Sequence, residues 1–227
     1  MKRSTVNDII RESDAFMRSF GFVMPPFAYL APEALQEHVE EGGAMIRDHM
    51  MGWDITDYGQ GDFEGLGLFL FTLRNGNAAN VARGMGPLYA EKLLISGENQ
   101  ISPMHHHLKK TEDIINRGGG TLVLELWTRT GDEIDETAPV EVVTDGQLRV
   151  LKPGERLALA PGESVTLEPW HWHAFWGEGG KVLIGEVSNV NDDRTDNIFR
   201  DPIGRFSDIE EDEAPLHLLV SDYGRWL

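Results

Sequence analysis

The sequence predicts a mainly β protein, an antiparallel barrel of the jelly-roll kind behind a helical N-terminal arm. Short β-prone runs recur from residue 66 to residue 188, turn dipeptides separate them, and the N-terminal stretch instead carries helical periodicity. Many short strands at regular spacing are the pattern of a sandwich or barrel rather than of alternating strands and helices.

Each element follows from its residues. Val6, Ile9, Ile10, Ser13, Phe16, Met17 and Phe20 fall at helical spacing on one face, and Gly21 is a stop signal. That apolar face must dock either on the main core or on a partner subunit. Pro25-Pro26 forces an extended link, and Ala31-Pro32-Glu33 puts proline in the first turn of a second helix running to about Glu41, before Gly42-Gly43. Residues 66–73 are the first β-prone run, closed by the turn dipeptide Asn75-Gly76. Further runs lie at 92–96, 121–128, 140–143, 147–151, 156–159, 164–167 and 181–188. Between them stand Asp145-Gly146, Pro153-Gly154, Pro161-Gly162 and Gly179-Gly180. No repeat, low-complexity tract or linker marks a second domain. Residues 1–227 therefore read as one unit: a helical arm at 1–65, a barrel core at 66–190, and a tail at 191–227 packing on the barrel.

Composition narrows the function. At 227 residues, 41% apolar and 26% charged, the chain is long enough for one large domain with a sizeable core. There is no cysteine, so any metal must rest on His, Asp or Glu. The start, Met1-Lys2-Arg3-Ser4, lacks the apolar stretch of a signal peptide, and no run reaches transmembrane length. A cytoplasmic protein with no membrane partner is the expectation. The net charge of −18 argues against a nucleic-acid partner, which needs clustered Lys and Arg, and more softly against a multiply anionic substrate.

The most informative stretch is His105-His106-His107, followed by Glu112 and Gly118-Gly119-Gly120. In a strand, residues two apart share a face, so His105 and His107 look one way and His106 the other, outward. Glu112 lies a turn beyond, close enough to bring a carboxylate beside the two imidazoles. The spacing His105-x-His107, four residues, Glu112, six residues, Gly119 resembles the first motif of the cupin superfamily, although Gly97 lies two residues further upstream than that motif asks. The resemblance implies a further His ligand from a later strand. Aligned on Gly162, this is His173, with His171 as the alternative; Glu168 and Trp170 stand where that second motif has Pro and Gly. The implied site is His105, His107, Glu112 and His173, a donor set without sulfur that suits Mn(II), Fe(II), Co(II) or Ni(II) better than Zn(II).

The likeness extends along the chain. The segments 53–59, 68–76, 89–92, 112–120, 185–193, 204–206 and 209–213 resemble the D-lyxose isomerase family. Among them are Trp53-Asp54-Ile55-Thr56-Asp57-Tyr58-Gly59 and Gly204-Arg205-Phe206. Membership implies a Mn(II)-dependent homodimer interconverting D-lyxose and D-xylulose, and commonly D-mannose and D-fructose. His106 departs from it, standing where an aromatic residue is expected.

Moving a carbonyl from C1 to C2 needs a Lewis acid for the two oxygens and a base to carry a proton between the carbons. The expected route is a cis-enediolate, with a hydride shift as the competitor. Lys110, Glu186, Asp193 and Arg205 are the candidate catalytic groups, and Lys92 and Trp176 the candidate substrate contacts. Trp170, Trp172 and Phe175 offer further stacking surface, and Glu210-Glu211-Asp212-Glu213 reads as a solvated face. Two other readings use the same site: an iron-dependent dioxygenase, and a non-catalytic protein that binds a small ligand.

Overall fold

The computed structural model describes residues 1–190 and 192–227. Helix α1 spans Arg3–Ser19 and buries Val6, Ile10 and Met17, the face its periodicity predicts. It docks on its own sheet, not on a partner: the same apolar cluster holds Trp53, Ile55, Phe69, Phe71, Leu93, Ile95 and Leu183. The face is therefore not free to form a dimer surface. Helix α2, Pro32–His38, stops short of the predicted end, because a wider turn over Val39–Gly43 follows, with Gly42 at φ 127°. Helix α3 covers Ala44–Asp48. The first 65 residues are not helical throughout, since strand β1, Gly52–Thr56, lies among them and pairs with β2, Leu68–Arg74.

The remaining strands are β3 (Tyr89–Ser96), β4 (Ser102–His107), β5 (Glu112–Thr130), β6 (Glu133–Asp135), β7 (Val140–Thr144), β8 (Gln147–Leu151), β9 (Arg156–Leu159), β10 (Ser164–Leu167), β11 (His171–Asn189) and β12 (Asn197–Phe199). Their ladders are antiparallel, as predicted. The path of pairing runs β1-β2-β3-β11-β5-β10-β7-β8 and does not close on itself, so the architecture is an open roll rather than a hydrogen-bonded barrel.

Two strands of 19 residues, β5 and β11, form its spine. The predicted runs 121–128 and 181–188 are halves of these longer strands. The glycines that read as breaks are bends within the ribbon: the β5–β11 register shifts across Glu178/Val182, around Gly179-Gly180. Gly119 lies opposite Val182 at φ +95°, where a Cβ would come 2.1 Å from the Lys181 carbonyl oxygen. Bending lets one strand serve both layers.

Alternation sets the two faces. Leu68, Leu70, Leu94, Val182 and Ile184 point inward, joining Ile114, Leu122, Leu124, Leu126 and Phe175 in the interior. Phe69, Phe71, Leu93 and Leu183 point to α1. The parity that places Leu94 and Ile184 inside also places Lys92 and Glu186 inside, where only a polar site can accommodate them.

The acidic run near the C-terminus is exposed, as predicted, and at the same time clamps α1. Arg3, with no exposed surface, donates to Glu211 at 2.8 and 2.9 Å and to Asp222 at 2.9 and 3.0 Å. Asp212 accepts from the Ser4 backbone N–H at 2.9 Å, which caps a helix whose own Lys2 supplies no side-chain cap. Glu213 accepts from Asn7. No helix among the described residues is long and apolar enough to cross a membrane.

Candidate functional site

The pairing of β4 with β11 and β12 builds the site. His105 lies opposite His173 across β4–β11, and across β4–β12 Asn197 lies opposite His107 and Phe199 opposite His105. Opposed residues of antiparallel strands share a face, so these side chains meet in the interior. The ligand nitrogens of His105, His107 and His173 all lie within 4.8 Å of one another. The backbone fixes the tautomers of two of them. Nδ1 of His105 meets the Pro103 carbonyl at 2.8 Å, and Nδ1 of His173 meets that of His171 at 3.1 Å. A carbonyl can only accept, so both Nδ1 atoms carry hydrogen and both Nε2 lone pairs are available. Burial first, then the neighbouring imidazoles, holds His105 well below its usual pKa, and burial with the Lys110 charge lowers His107 to about 4.

Glu112, the first residue of β5, sends Oε1 to Nε2 of His107 at 3.1 Å and to Nε2 of His173 at 3.3 Å. Its Oε2 takes Nζ of Lys110 at 2.6 Å. Burial alone would raise this carboxyl, but Lys110 and His107 outweigh it and hold it well below the ordinary range. Lys110 continues to Oε1 of Glu186 at 3.1 Å, which also takes Lys92 at 3.2 Å. Lys92 reaches Asp193 at 3.2 Å, Asp193 lies 3.5 Å from Arg205, and Arg205 holds Asp54 at 2.7 Å. One ion-pair chain thus joins the imidazole cluster to every predicted catalytic residue. Among the described residues it links three cations (Lys92, Lys110, Arg205) with four carboxyl groups (Asp54, Glu112, Glu186, Asp193), and burial pushes the Asp54 carboxyl above its ordinary value. Burial disfavours the charged forms of Lys110 and Arg205, yet their carboxylate neighbours prevail and keep both pKa values above the ordinary range. Lys110 is therefore an ammonium donor and not a base.

Three convergent imidazoles, two of them with Nε2 lone pairs left free by the backbone, and an ionised carboxylate beside them fit a divalent cation. These residues enclose a cavity of about 40 Å³, with Tyr58, Ser102, Phe175, Asn197 and Phe199 in its wall. Asp193 also lines a separate cavity of about 810 Å³, which Asp54 borders as well.

The structure brings together His105, His107, Glu112, His173, Lys92, Lys110, Glu186, Asp193 and Arg205. Trp176 is not among them. Counting back from His173 and Phe175, which point inward, Trp176 points to the opposite face, where it lines another cavity, stacks under Arg156 and donates to Glu178. His171 lies beside the site but turns its Nδ1 to the Glu168 backbone N–H at 3.0 Å. His106 faces away from the imidazoles as expected, yet it is buried, not outward: its ring meets Trp172 at 4.4 Å. Trp170 is half exposed.

Sequence reasoning missed Asp54, Tyr58, Ser102, Asn197 and Phe199. Asp54 had a legible signal, a carboxylate in mid-strand between Trp53 and Ile55. Tyr58, whose hydroxyl lies 3.0 Å from Ser102 Oγ, and Asn197 had none, because only tertiary pairing carries them to the site.

Comparison with known proteins agrees with this geometry. The family model for D-lyxose isomerase matches residues 1–223. A D-lyxose/D-mannose isomerase of Serratia proteamaculans is 46% identical over 230 residues, covering 100% of both chains. A protein of the same name from Escherichia coli O157:H7 is 42% identical over 98% of both chains. Among solved structures, L-ribose isomerase of Cellulomonas parahominis with L-psicose superposes with a TM-score of 0.59 at 16% identity, covering 92% of this chain and 98% of that one. Acinetobacter sp. DL28 L-ribose isomerase in complex with L-ribose gives 0.60 at 16% identity over the same shares. At that identity the likeness establishes the shared fold alone. A match over nearly the whole chain, with relatives above 40% identity from end to end, means that the chain belongs to the D-lyxose isomerase family and is a sugar isomerase.

Proposed function

We propose that this protein interconverts D-lyxose and D-xylulose, and also D-mannose and D-fructose, with Mn(II) held by His105, His107, Glu112 and His173. The observation that carries this reading is a cation-ready imidazole cluster sharing one small cavity with Glu186, a buried carboxylate gripped by two lysines. When bound, Mn(II) supplies Lewis-acid polarisation of the sugar carbonyl.

The chain's own groups do the rest. The Glu186 carboxylate takes the proton from C2 of the aldose as a C1–C2 double bond forms, and returns it to C1 as the C2 oxygen becomes the carbonyl. The hydroxyl proton of O2 moves to O1 in the same exchange, so the product is an isomer with nothing added. Lys110 faces the charge that develops on oxygen and stabilises it by a charge-assisted hydrogen bond. Lys92 and Asp193 hold Glu186 and Arg205 in place. We place the active form in the cytoplasm as a homodimer.

The test is a panel of aldoses supplied with Mn(II), Co(II), Ni(II) or Fe(II), read as ketose formed and repeated in deuterated water. D-Lyxose and D-mannose should be converted best with Mn(II), with solvent deuterium entering the product at the carbon that receives the proton. Product free of solvent deuterium sinks the enediolate route, and oxygen uptake with iron supports a dioxygenase in its place.

A further inference from the structure

Seven buried side-chain polar atoms among the described residues have no hydrogen-bond partner, and three belong to residues that line the 40 Å³ cavity: Oδ1 of Asn197, Nη1 of Arg205 and Nδ1 of His107. Buried polar atoms without partners are costly, and in a binding cavity they mark where a ligand completes the network. His107 Nδ1 has Asp196 Oδ2 within 3.7 Å, so the demand that remains is one acceptor and one donor.

Asn197 is held for this task from both sides. The three-residue strand β12 pairs with β4 so that Asn197 stands opposite His107 and shares its inward face, while Ile198 turns outward. Its amide Nδ2 donates to the Asp193 carbonyl at 3.3 Å, which fixes the side chain with Oδ1 unpaired. Arg205 is fixed in the same manner, its Nη2 engaged by Asp54 at 2.7 Å while Nη1 stays unpaired. A hydroxyl is both donor and acceptor, so a fixed acceptor and a fixed donor in one cavity complement neighbouring hydroxyls of a polyol.

We infer that Asn197, together with Nη1 of Arg205, receives the hydroxyls of the sugar that do not react, those at C3 to C5, and that Asn197 is a specificity-determining residue. This rests on the aldose-isomerase reading above. The contact exists equally before and during reaction, so it acts on affinity and not on the chemical step.

The experiment compares wild type and Asn197→Ala on D-lyxose and on its 3-deoxy, 4-deoxy and 5-deoxy derivatives. Inhibition by D-arabinitol, a polyol without a carbonyl, is measured alongside. For D-lyxose, KM and the inhibition constant should both rise by roughly 5- to 20-fold, with kcat within about threefold of wild type. For the one deoxysugar that lacks the contacted hydroxyl, the two proteins should have equal KM. Unchanged KM on D-lyxose overturns the inference, and so does an equal loss on all four sugars, which is what a merely structural Asn197 would produce. A wild type that converts none of the sugars overturns the isomerase reading itself, a result distinct from either.

Discussion

Replacing Glu112 by Gln removes a single charge from the centre of the ion-pair chain. Glu112 is 2% exposed, with Oε2 2.6 Å from Lys110 Nζ and Oε1 against two imidazoles. An amide keeps the volume but cannot offset the ammonium, which is left with Glu186 Oε1 at 3.1 Å, an atom already shared with Lys92. Removing one partner of a buried pair costs about 3–5 kcal/mol, and the remaining Glu186 contact places this case near the lower bound. In a chain of this length each kcal/mol lowers Tm by about 2–4 °C, so the metal-free variant should melt about 6–12 °C below wild type. Mn(II) affinity should fall at least as far as when a group supporting a ligand is lost, about 10–100-fold, and ketose formation should fall with it. Calorimetric melting with and without Mn(II), Mn(II) titration and the D-lyxose assay read these effects separately. A variant that melts within about 1 °C of wild type and retains full turnover would refute both the pairing and the ligand assignment.

Three further outcomes follow. Glu186→Gln should lower kcat by about 10²–10⁴-fold while binding Mn(II) as wild type does, and a loss below tenfold removes Glu186 as the base. Arg3→Met should lower stability most above about pH 5 and least in acid. The Glu211 carboxyl is held below its ordinary value chiefly by hydrogen bonds from Arg3, so its contribution is complete above the unfolded carboxyl pKa of about 4.3 and is lost as pH falls through the folded value. Melting curves of the two proteins should therefore converge on acidification; a constant gap refutes the clamp. Trp176→Ala should leave KM and kcat within about twofold of wild type, since the side chain lies on the far face of β11, and a tenfold loss contradicts that placement.

Much of the site was legible because strand parity and spacing are local. His105 and His107 are two apart, Glu112 opens the next strand, and Lys92 and Glu186 break apolar runs at positions that alternation sends inward. Trp176 reads as a stacking surface from its residue type, and the count from His173 sends it instead to the opposite face. Gly179-Gly180 read as a break between strands, since a bend and a break use the same residues; the ladder between β5 and β11 decides which. The acidic run at 210–213 gave no local sign of its partners, which lie some two hundred positions away on α1.

The sequence by itself therefore determined the β class, the apolar face of α1, the convergence of three imidazoles and the family, all of which rest on periodicity, spacing or motif. Tertiary structure alone decided that α1 covers its own sheet and that the roll stays open. It also decided that Asp54 and Arg205 close the ion-pair chain, and that Asn197 stands beside His107. Those are contacts between segments far apart in the chain, chosen by which faces can be buried together and which charges can be matched, and no local pattern records that choice.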